Sequence, residues 1–187
     1  MIRVNSNTDQ VKAAINQMKN IEKRIPKAFS SALNRTGQGL KTEAVKMVTG
    51  TYDVKAKDVR PTIRLTKSQA GNLQLEMISK GKNIPLIRFR TKPKNIPKRK
   101  PKVLVASVKR SGGKPIPGAF ITRVGGHVGV LTRAGASRLP IRELYGPSVP
   151  VMLGNEKVSE HLEKEARRRM KIRLDHEIAR QLKGVIQ

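Results

Sequence analysis

Apolar side chains recur every three or four residues near the start of the chain, which is the spacing of an amphipathic helix. Between residues 8 and 25 this face comprises Val11, Ala14, Ile15, Met18, Ile21 and Ile25. A similar pattern resumes after Pro26 and continues to about residue 49, followed by Gly50. Because proline lacks a backbone N–H and disrupts the preceding helical turn, we expect two N-terminal helices that separate at Pro26.

The C-terminal pattern predicts a long helix over residues 155 to 183, with Asn155 as its N-cap. Its apolar residues follow at strict steps of four: Val158, Leu162, Ala166, Met170, Leu174, Ile178 and Leu182. Four residues exceed one helical turn by about 40°, so this stripe winds around the helix. We therefore expect the helix to meet different partners along its length.

The pattern changes to alternation in the middle of the chain, which is typical of strands. The predicted strands lie around 63–65, 73–77, 84–87, 103–108, 120–124 and 127–131, with glycine pairs at 112–113 and 125–126 as turns. A short helical segment is expected over 54–60, and an ordered irregular segment over 133–154. The predicted fold is one α+β domain over residues 1–187: two N-terminal helices, a central antiparallel β-meander with a projecting basic loop, and a long C-terminal helix.

The net charge of +27 predicts a polyanionic or acidic partner. Residues 77 to 142 contain seventeen Lys or Arg and no acid, and their densest part, 88 to 102, includes Pro93, Pro97 and Pro101. Because proline disfavours sheet pairing, we expect residues 90–102 to form a projecting loop. Eight cations are predicted to contact DNA or an acidic partner: Arg88, Arg90, Lys92, Lys94, Lys98, Arg99, Lys100 and Lys102. A merely solvated surface is the alternative.

Residues for catalysis or cofactor binding do not cluster in the sequence. Cysteine is absent, and His127, His161 and His176 are too far apart for metal-ligand spacing on one element. The Gly-Gly pairs match neither a P-loop nor a dinucleotide-binding pattern. We expect no enzyme activity, cofactor or metal. The N-terminus does not resemble a signal peptide, and no run of eighteen apolar residues occurs, so we expect no membrane partner.

Three sequence segments carry a family resemblance, namely Ala32-Leu-Asn-Arg-Thr36, Thr51-Tyr-Asp-Val-Lys-Ala-Lys-Asp-Val59 and Arg138-Leu-Pro-Ile-Arg-Glu-Leu-Tyr-Gly-Pro-Ser-Val-Pro150 before a long charged helix. In this order they resemble the minor tail protein Z family of tailed bacteriophages and prophages. The third segment is the most specific, and the similarity spans most of the chain.

The resemblance implies a structural virion protein, made in the host cytoplasm, that completes the tail at its head-proximal end. Its expected partners are other tail, neck and connector proteins, further copies of itself in a ring or sleeve, and double-stranded DNA at the genome end. We assign the subunit interface to the irregular segment: Leu139, Pro140, Ile141, Leu144, Tyr145, Pro147, Val149 and Pro150.

Charge alone also favours a second hypothesis, a free basic protein that binds nucleic acid without sequence specificity. Against it, the chain has three Phe, two Tyr and no Trp, so few side chains can stack on bases. It also lacks a recognisable nucleic-acid-reading motif. Tight, salt-sensitive binding of DNA or RNA by the isolated monomer would favour this hypothesis.

Overall fold

The computed structural model describes the backbone of residues 8–99 and 103–183, and the side chains of residues 24–99, 103–181 and 183. Four α-helices are present in these ranges: α1 (Thr8–Thr51), α2 (Ala56–Val59), α3 (Val149–Leu153) and α4 (Glu156–Lys183). The strands are β1 (Ile63–Thr66), β2 (Glu76–Ser79), β3 (Arg90–Lys92), β4 (Leu104–Lys109), β5 (Gly112–Ile116), β6 (Phe120–Val124), β7 (His127–Arg133) and β8 (Ile141–Glu143). Two 3-10 turns occupy Arg60–Thr62 and Leu86–Arg88. The mixed helix and antiparallel sheet composition was predicted.

The N-terminal region forms one helix rather than two. Pro26 lies inside α1, which continues for 44 residues. A proline inside a helix removes one hydrogen bond, but packing of the apolar face supplies most helical stability in a folded protein. Ala28 and Ala32, which follow Pro26, are buried, so tertiary burial holds this part of the helix in place. The predicted apolar face over residues 11 to 21 lies outside the described side chains.

The chain divides into two compact units. The first comprises residues 1–40, 65–77 and 163–187, and the second comprises residues 41–64 and 78–162. The expectation of a single domain stays a prediction.

In the first unit, α1 and α4 run antiparallel. Thr36 Oγ1 lies 3.8 Å from Met170 Sδ, and Arg35 Nη1 lies 3.3 Å from Glu177 Oε1. Asn34 fixes the 65–77 segment to α1: its Nδ2 donates to the Ser68 carbonyl and its Oδ1 accepts from the Ser68 N–H, both at 2.9 Å. This contact gives the Ala32-Leu-Asn-Arg-Thr36 sequence a structural role.

The apolar stripe of α4 is buried near the start of the helix and exposed near its end. Val158 and Leu162 are buried, but sixteen residues after Leu162 the stripe residue Ile178 is 40% exposed. The adjacent Glu177 is buried instead, with only 2% of its surface accessible. A step of four overshoots each turn, so the stripe rotates away from the packed face while position 177 rotates into it. The helix itself was correctly predicted over 155–183; Leu182 lies outside the described side chains.

The second unit contains two separate three-stranded antiparallel sheets, ordered β3-β4-β5 and β6-β7-β8. Another sheet pairs β1 with β2. In the first sheet Thr91 pairs with Ala106, and in the second Ile121 pairs with Val130. The core of this unit includes Leu104, Val130, Met152 and Val158. Antiparallel meanders were therefore predicted correctly, but their division between sheets was not.

Four local predictions were wrong. Gly112 and Gly113, expected as a turn, are the first residues of strand β5, and the turn lies at residues 110 and 111. The segment expected as a strand at 84–87 forms the 3-10 turn Leu86–Arg88, because the chain bends after Pro85. Residues Arg90–Lys92, expected in a loop, form β3 and pair with β4 ahead of Pro93, where proline does not yet interrupt the ladder. The irregular segment 133–154 contains β8 and α3, and the second of these begins at Val149 with Pro150 in its first turn.

Candidate functional site

The basic segment 88–102 separates into paired and unpaired cations. Arg88 forms an ion pair with Asp58, and Arg90 Nη2 lies 3.2 Å from Asp53 Oδ2. The cations Lys92, Lys94, Lys98 and Arg99 are exposed and form no salt bridge within the described residues, whereas Lys100 and Lys102 lie outside those residues. The projecting loop beyond Lys92 stays a prediction.

One cavity of about 630 Å³ opens beside the beginning of this segment, and we call it the basic cavity. It lies wholly within the second unit. Its wall includes six cationic residues and two carboxylates, a formal excess of four positive charges. The cations are Lys55, Lys57, Arg88, Arg90, Lys94 and Arg110, and the carboxylates are Asp53 and Asp58. Three of these cations, Lys55, Lys57 and Arg110, come from outside the segment that the sequence singled out.

The arginines of the basic cavity are held by neighbouring acceptors. Asp53 Oδ2 accepts a hydrogen bond from Ser107 Oγ at 2.8 Å, which orients the carboxylate facing Arg90. Arg110 donates from Nε to the Thr49 carbonyl at 2.8 Å. These contacts hold the guanidinium groups in place. The positive charge of the cavity wall still exceeds the negative charge of its two carboxylates.

Thr91 also lines the basic cavity, and it carries an unusual group. Its side chain is buried, with 7% of the residue exposed, yet the Thr91 hydroxyl has no hydrogen-bond partner among the described residues. A buried hydroxyl without a partner costs free energy, so such groups are rare in folded proteins. Sequence reasoning missed this residue, because the burial of Thr91 follows from the β3–β4 register.

The predicted interface segment 139–150 is partly exposed. Leu139 is 67% exposed and Tyr145 is 52% exposed, and Pro140 is exposed as well. The intermediate members are Ile141, Leu144, Pro147 and Pro150. Val149, by contrast, is 1% exposed because it packs in the core of its own unit. Val151, which the sequence did not single out, is 63% exposed.

Backbone hydrogen bonds hold this segment against the strands and the 84–88 turn. Leu144 N donates to the Val130 carbonyl at 2.8 Å, and Gly146 N donates to the Ile84 carbonyl at 2.8 Å. The Leu86 N–H in turn donates to the Leu144 carbonyl at 2.9 Å. The segment is therefore ordered over Leu144 to Gly146, as its mixture of Pro, Gly and apolar residues predicted.

A small polar cluster lies on the same segment. Tyr145 donates its hydroxyl to Glu143 Oε2 at 2.8 Å, and His127 Nε2 lies 3.2 Å from the same oxygen. The hydrogen bond to Glu143 raises the pKa of Tyr145 above its usual value, with smaller effects in the same direction from desolvation and the carboxylate charge. Among the described residues there is no group of three or more His, Cys, Asp or Glu arranged to hold a metal ion. The cluster holds the segment's conformation.

Comparison with known proteins assigns the family. The family described as prophage minor tail protein Z (GPZ) matches residues 10–187. The chain belongs to this family. No significant match was found among curated proteins or among solved structures. A prophage minor tail protein is a structural component of the phage tail, which places this minor tail protein Z family member in the virion. Other phage tail proteins are therefore its partners.

The family assignment confirms the resemblance drawn from the three sequence segments. It describes a structural family and not an enzyme family. Across the described residues, no helix of this minor tail protein Z family member combines the length and the apolar character needed to cross a bilayer.

Proposed function

We propose that this phage tail protein is a tail completion protein at the head-proximal end of the tail. There it joins tail proteins to the neck and connector proteins, and copies of the chain form a ring or sleeve. The observation that carries the proposal is the match to the minor tail protein Z family over residues 10–187. The resemblance of residues 138–150 to that family supports the finer assignment to tail completion.

The surface of the second unit supports an assembly role. Large apolar side chains are rarely left this exposed in groups on a monomer unless they meet a partner. Leu139, Tyr145 and Val151 are each more than half exposed, and backbone hydrogen bonds hold residues 144–146 in place. We assign the subunit contact to these three residues together with Pro140, Ile141, Leu144, Pro147 and Pro150. The buried Val149 supports α3 from inside. The exposed Ile172 and Ile178 of α4 are further contact residues.

The charge of the chain supports a position close to the genome end. A net charge of +27 opposes close packing of identical copies unless an anionic partner neutralises it. At the head-proximal end of the tail the double-stranded DNA supplies that charge, and acidic surfaces of neck proteins supply it as well. The unpaired cations of the 88–102 segment are the residues that we assign to this contact.

Analysis of purified virions tests the proposal. We expect quantitative mass spectrometry to find the chain at several copies per virion, and to find it in isolated tails as well as in whole particles. Phage that lacks the protein should accumulate separate heads and tails or lose genome ends. Complete absence of the protein from purified virions would overturn the proposal.

A charge variant separates the two candidate partners of the basic segment. Lys98, Arg99, Lys100 and Lys102 are all changed to Ser in the phage. If the segment contacts DNA, retention of the genome end should fail while heads and tails still join. If it contacts an acidic protein, joining itself should fail. Unchanged infectivity would show that these four side chains form a solvated surface only.

A further inference from the structure

We propose that the basic cavity is a binding site for a phosphate group of DNA. This inference deepens the genome contact in the proposed function and rests on it. It also assigns the contact to Lys55, Lys57 and Arg110 from outside the 88–102 segment.

The balance of charge in the cavity favours an anion. Six cations line a volume of about 630 Å³ together with only two carboxylates. Both carboxylates already face arginines, since Asp53 lies 3.2 Å from Arg90 and Asp58 pairs with Arg88. Lys55, Lys57 and Lys94 form no salt bridge within the described ranges, so the excess positive charge is not neutralised by that part of the chain.

The cations of the cavity wall point to the kind of anion. A phosphate group offers several strongly accepting oxygens that arginine and lysine can share.

The local geometry is also prepared for a phosphate. Ser107 orients Asp53, and Asp53 and Asp58 in turn hold Arg90 and Arg88, so two planar guanidinium groups are fixed before any ligand enters. Ordering these groups in advance reduces the entropy that binding would otherwise cost. The three lysines remain exposed and adaptable, and they suit a second phosphate of the same strand.

A carboxylate from an acidic protein fits this cavity less well. A phosphate chain repeats its charge at short intervals and can therefore engage the formal excess of four positive charges at several points.

Binding to a 20-base-pair duplex with 5′-phosphates, measured by fluorescence anisotropy at several salt concentrations, tests the site. The cavity variant Lys55→Gln, Lys57→Gln and Lys94→Gln removes three charges and breaks no salt bridge of the described residues. The control variant Lys80→Gln, Lys82→Gln and Lys114→Gln removes the same charge from exposed lysines outside the cavity wall.

We expect the cavity variant to bind at least about tenfold more weakly and to lower the salt slope by about two to three, as loss of up to three phosphate contacts predicts. The control should keep most of its affinity. Equal losses in both variants, or no loss in either, would overturn the proposal.

Two further ligands identify the source of the anion. A dumbbell duplex that is closed at both ends offers only internal phosphates. Equal binding of the dumbbell assigns the site to the DNA backbone, whereas much weaker binding assigns it to the 5′-phosphate terminus. A polyglutamate peptide that binds more tightly than either DNA, with the same dependence on the cavity lysines, would overturn the proposal in favour of an acidic protein.

The binding assay uses the isolated full chain, so its result does not depend on where the protein lies in the virion. Normal incorporation into tails together with unaltered DNA binding by the cavity variant would disprove this inference alone. Cavity-dependent DNA binding by a protein that is missing from purified virions would disprove the tail completion role instead.

Discussion

Gly146 lies directly against the ring of Phe89, so that a Cβ atom at position 146 would stand 2.5 Å from Phe89 Cε2. Phe89 is 5% exposed and lies between Arg88 and Arg90, the two basic-cavity arginines that are held by acids. Gly146 lies in the segment that most specifically resembles the family. The contact therefore connects the predicted interface segment 139–150 to the wall of the basic cavity within one unit.

Gly146→Ala should destabilise the protein, because the buried Phe89 ring has to move to admit the added methyl group. We expect a loss of about 1–3 kcal/mol, the usual range for overpacking. Urea denaturation followed by circular dichroism measures it. Gly135→Ala is the matched control, since nothing lies within 4 Å of its added Cβ and its change should stay within about 0.5 kcal/mol. Equal effects of the two substitutions would contradict the close contact.

Glu177→Gln should destabilise the first unit. The Glu177 carboxylate is 2% exposed and lies 3.3 Å from Arg35 Nη1 and 2.6 Å from Arg180 Nη2. Removal of its charge leaves a buried amide against two guanidinium groups, although both arginines are more than half exposed and water screens them. We expect a loss of about 1–3 kcal/mol in chemical denaturation. Glu163→Gln is the control, because its side chain is 71% exposed and lies 3.9 Å from Arg167. A smaller effect at position 177 than at 163 would refute the buried ion pair.

Glu165 should titrate far below an ordinary glutamate. The Arg168 guanidinium donates two hydrogen bonds to its carboxylate, at 2.7 and 2.9 Å, and together with Arg169 it lowers the pKa of Glu165 from 4.5 to about 2, against a smaller opposing effect of desolvation. Because the folded pKa is depressed, the stabilisation is fully present above about pH 4.5 and is lost as the pH falls through about 2.

Carbon-13 NMR of the glutamate carboxyl groups checks this titration. Arg168→Gln should raise the pKa of Glu165, and the stability difference between this variant and the wild type should shrink as the pH falls below about 4.5. Arg167→Gln, whose neighbouring acid is Glu163, should leave the Glu165 midpoint in place. A wild-type midpoint near 4.5 would show that the ion pair does not form in solution.

Leu139→Ser combined with Val151→Ser should prevent assembly without unfolding the chain. Both side chains are more than 60% exposed, so their loss removes apolar contact area from a partner and little from the protein's own core. Incorporation of the variant into virions, measured by mass spectrometry, should fall at least about tenfold while its circular dichroism spectrum is unchanged. Val124→Ser is the control on an exposed strand end. Normal incorporation of the double variant would remove this surface from the interface.

Elements with a strong local pattern were predictable from the sequence. The C-terminal helix follows from the stripe that begins at Val158, and the β6–β7 hairpin follows from alternating residues on either side of Gly125 and Gly126, which both adopt positive φ. In each case the information lies within a few neighbouring residues, since helix periodicity and turn conformation are local properties.

The remaining features depend on residues far apart in the sequence. The loss of a helical hydrogen bond at Pro26 predicted a break in the helix, but burial of Ala28 and Ala32 keeps α1 continuous. The acid-free charge pattern identified Arg88, Arg90 and Lys94, but only the fold brings Lys55 and Arg110 to the same cavity. Thr91 and Glu177 could not be identified either, because an unsatisfied hydroxyl and a buried carboxylate are defined by their tertiary neighbours.

A density map of the intact head-tail junction is the most direct test of the proposed position of the chain at the head-proximal end of the tail. We predict that copies of the chain form a closed ring or sleeve at the head-proximal end of the tail, with Leu139 and Val151 at a contact with a neighbouring subunit. We also predict that density for DNA lies next to the basic cavity. A map that places the chain at the distal end of the tail, or shows no density for it in the particle, would contradict the account.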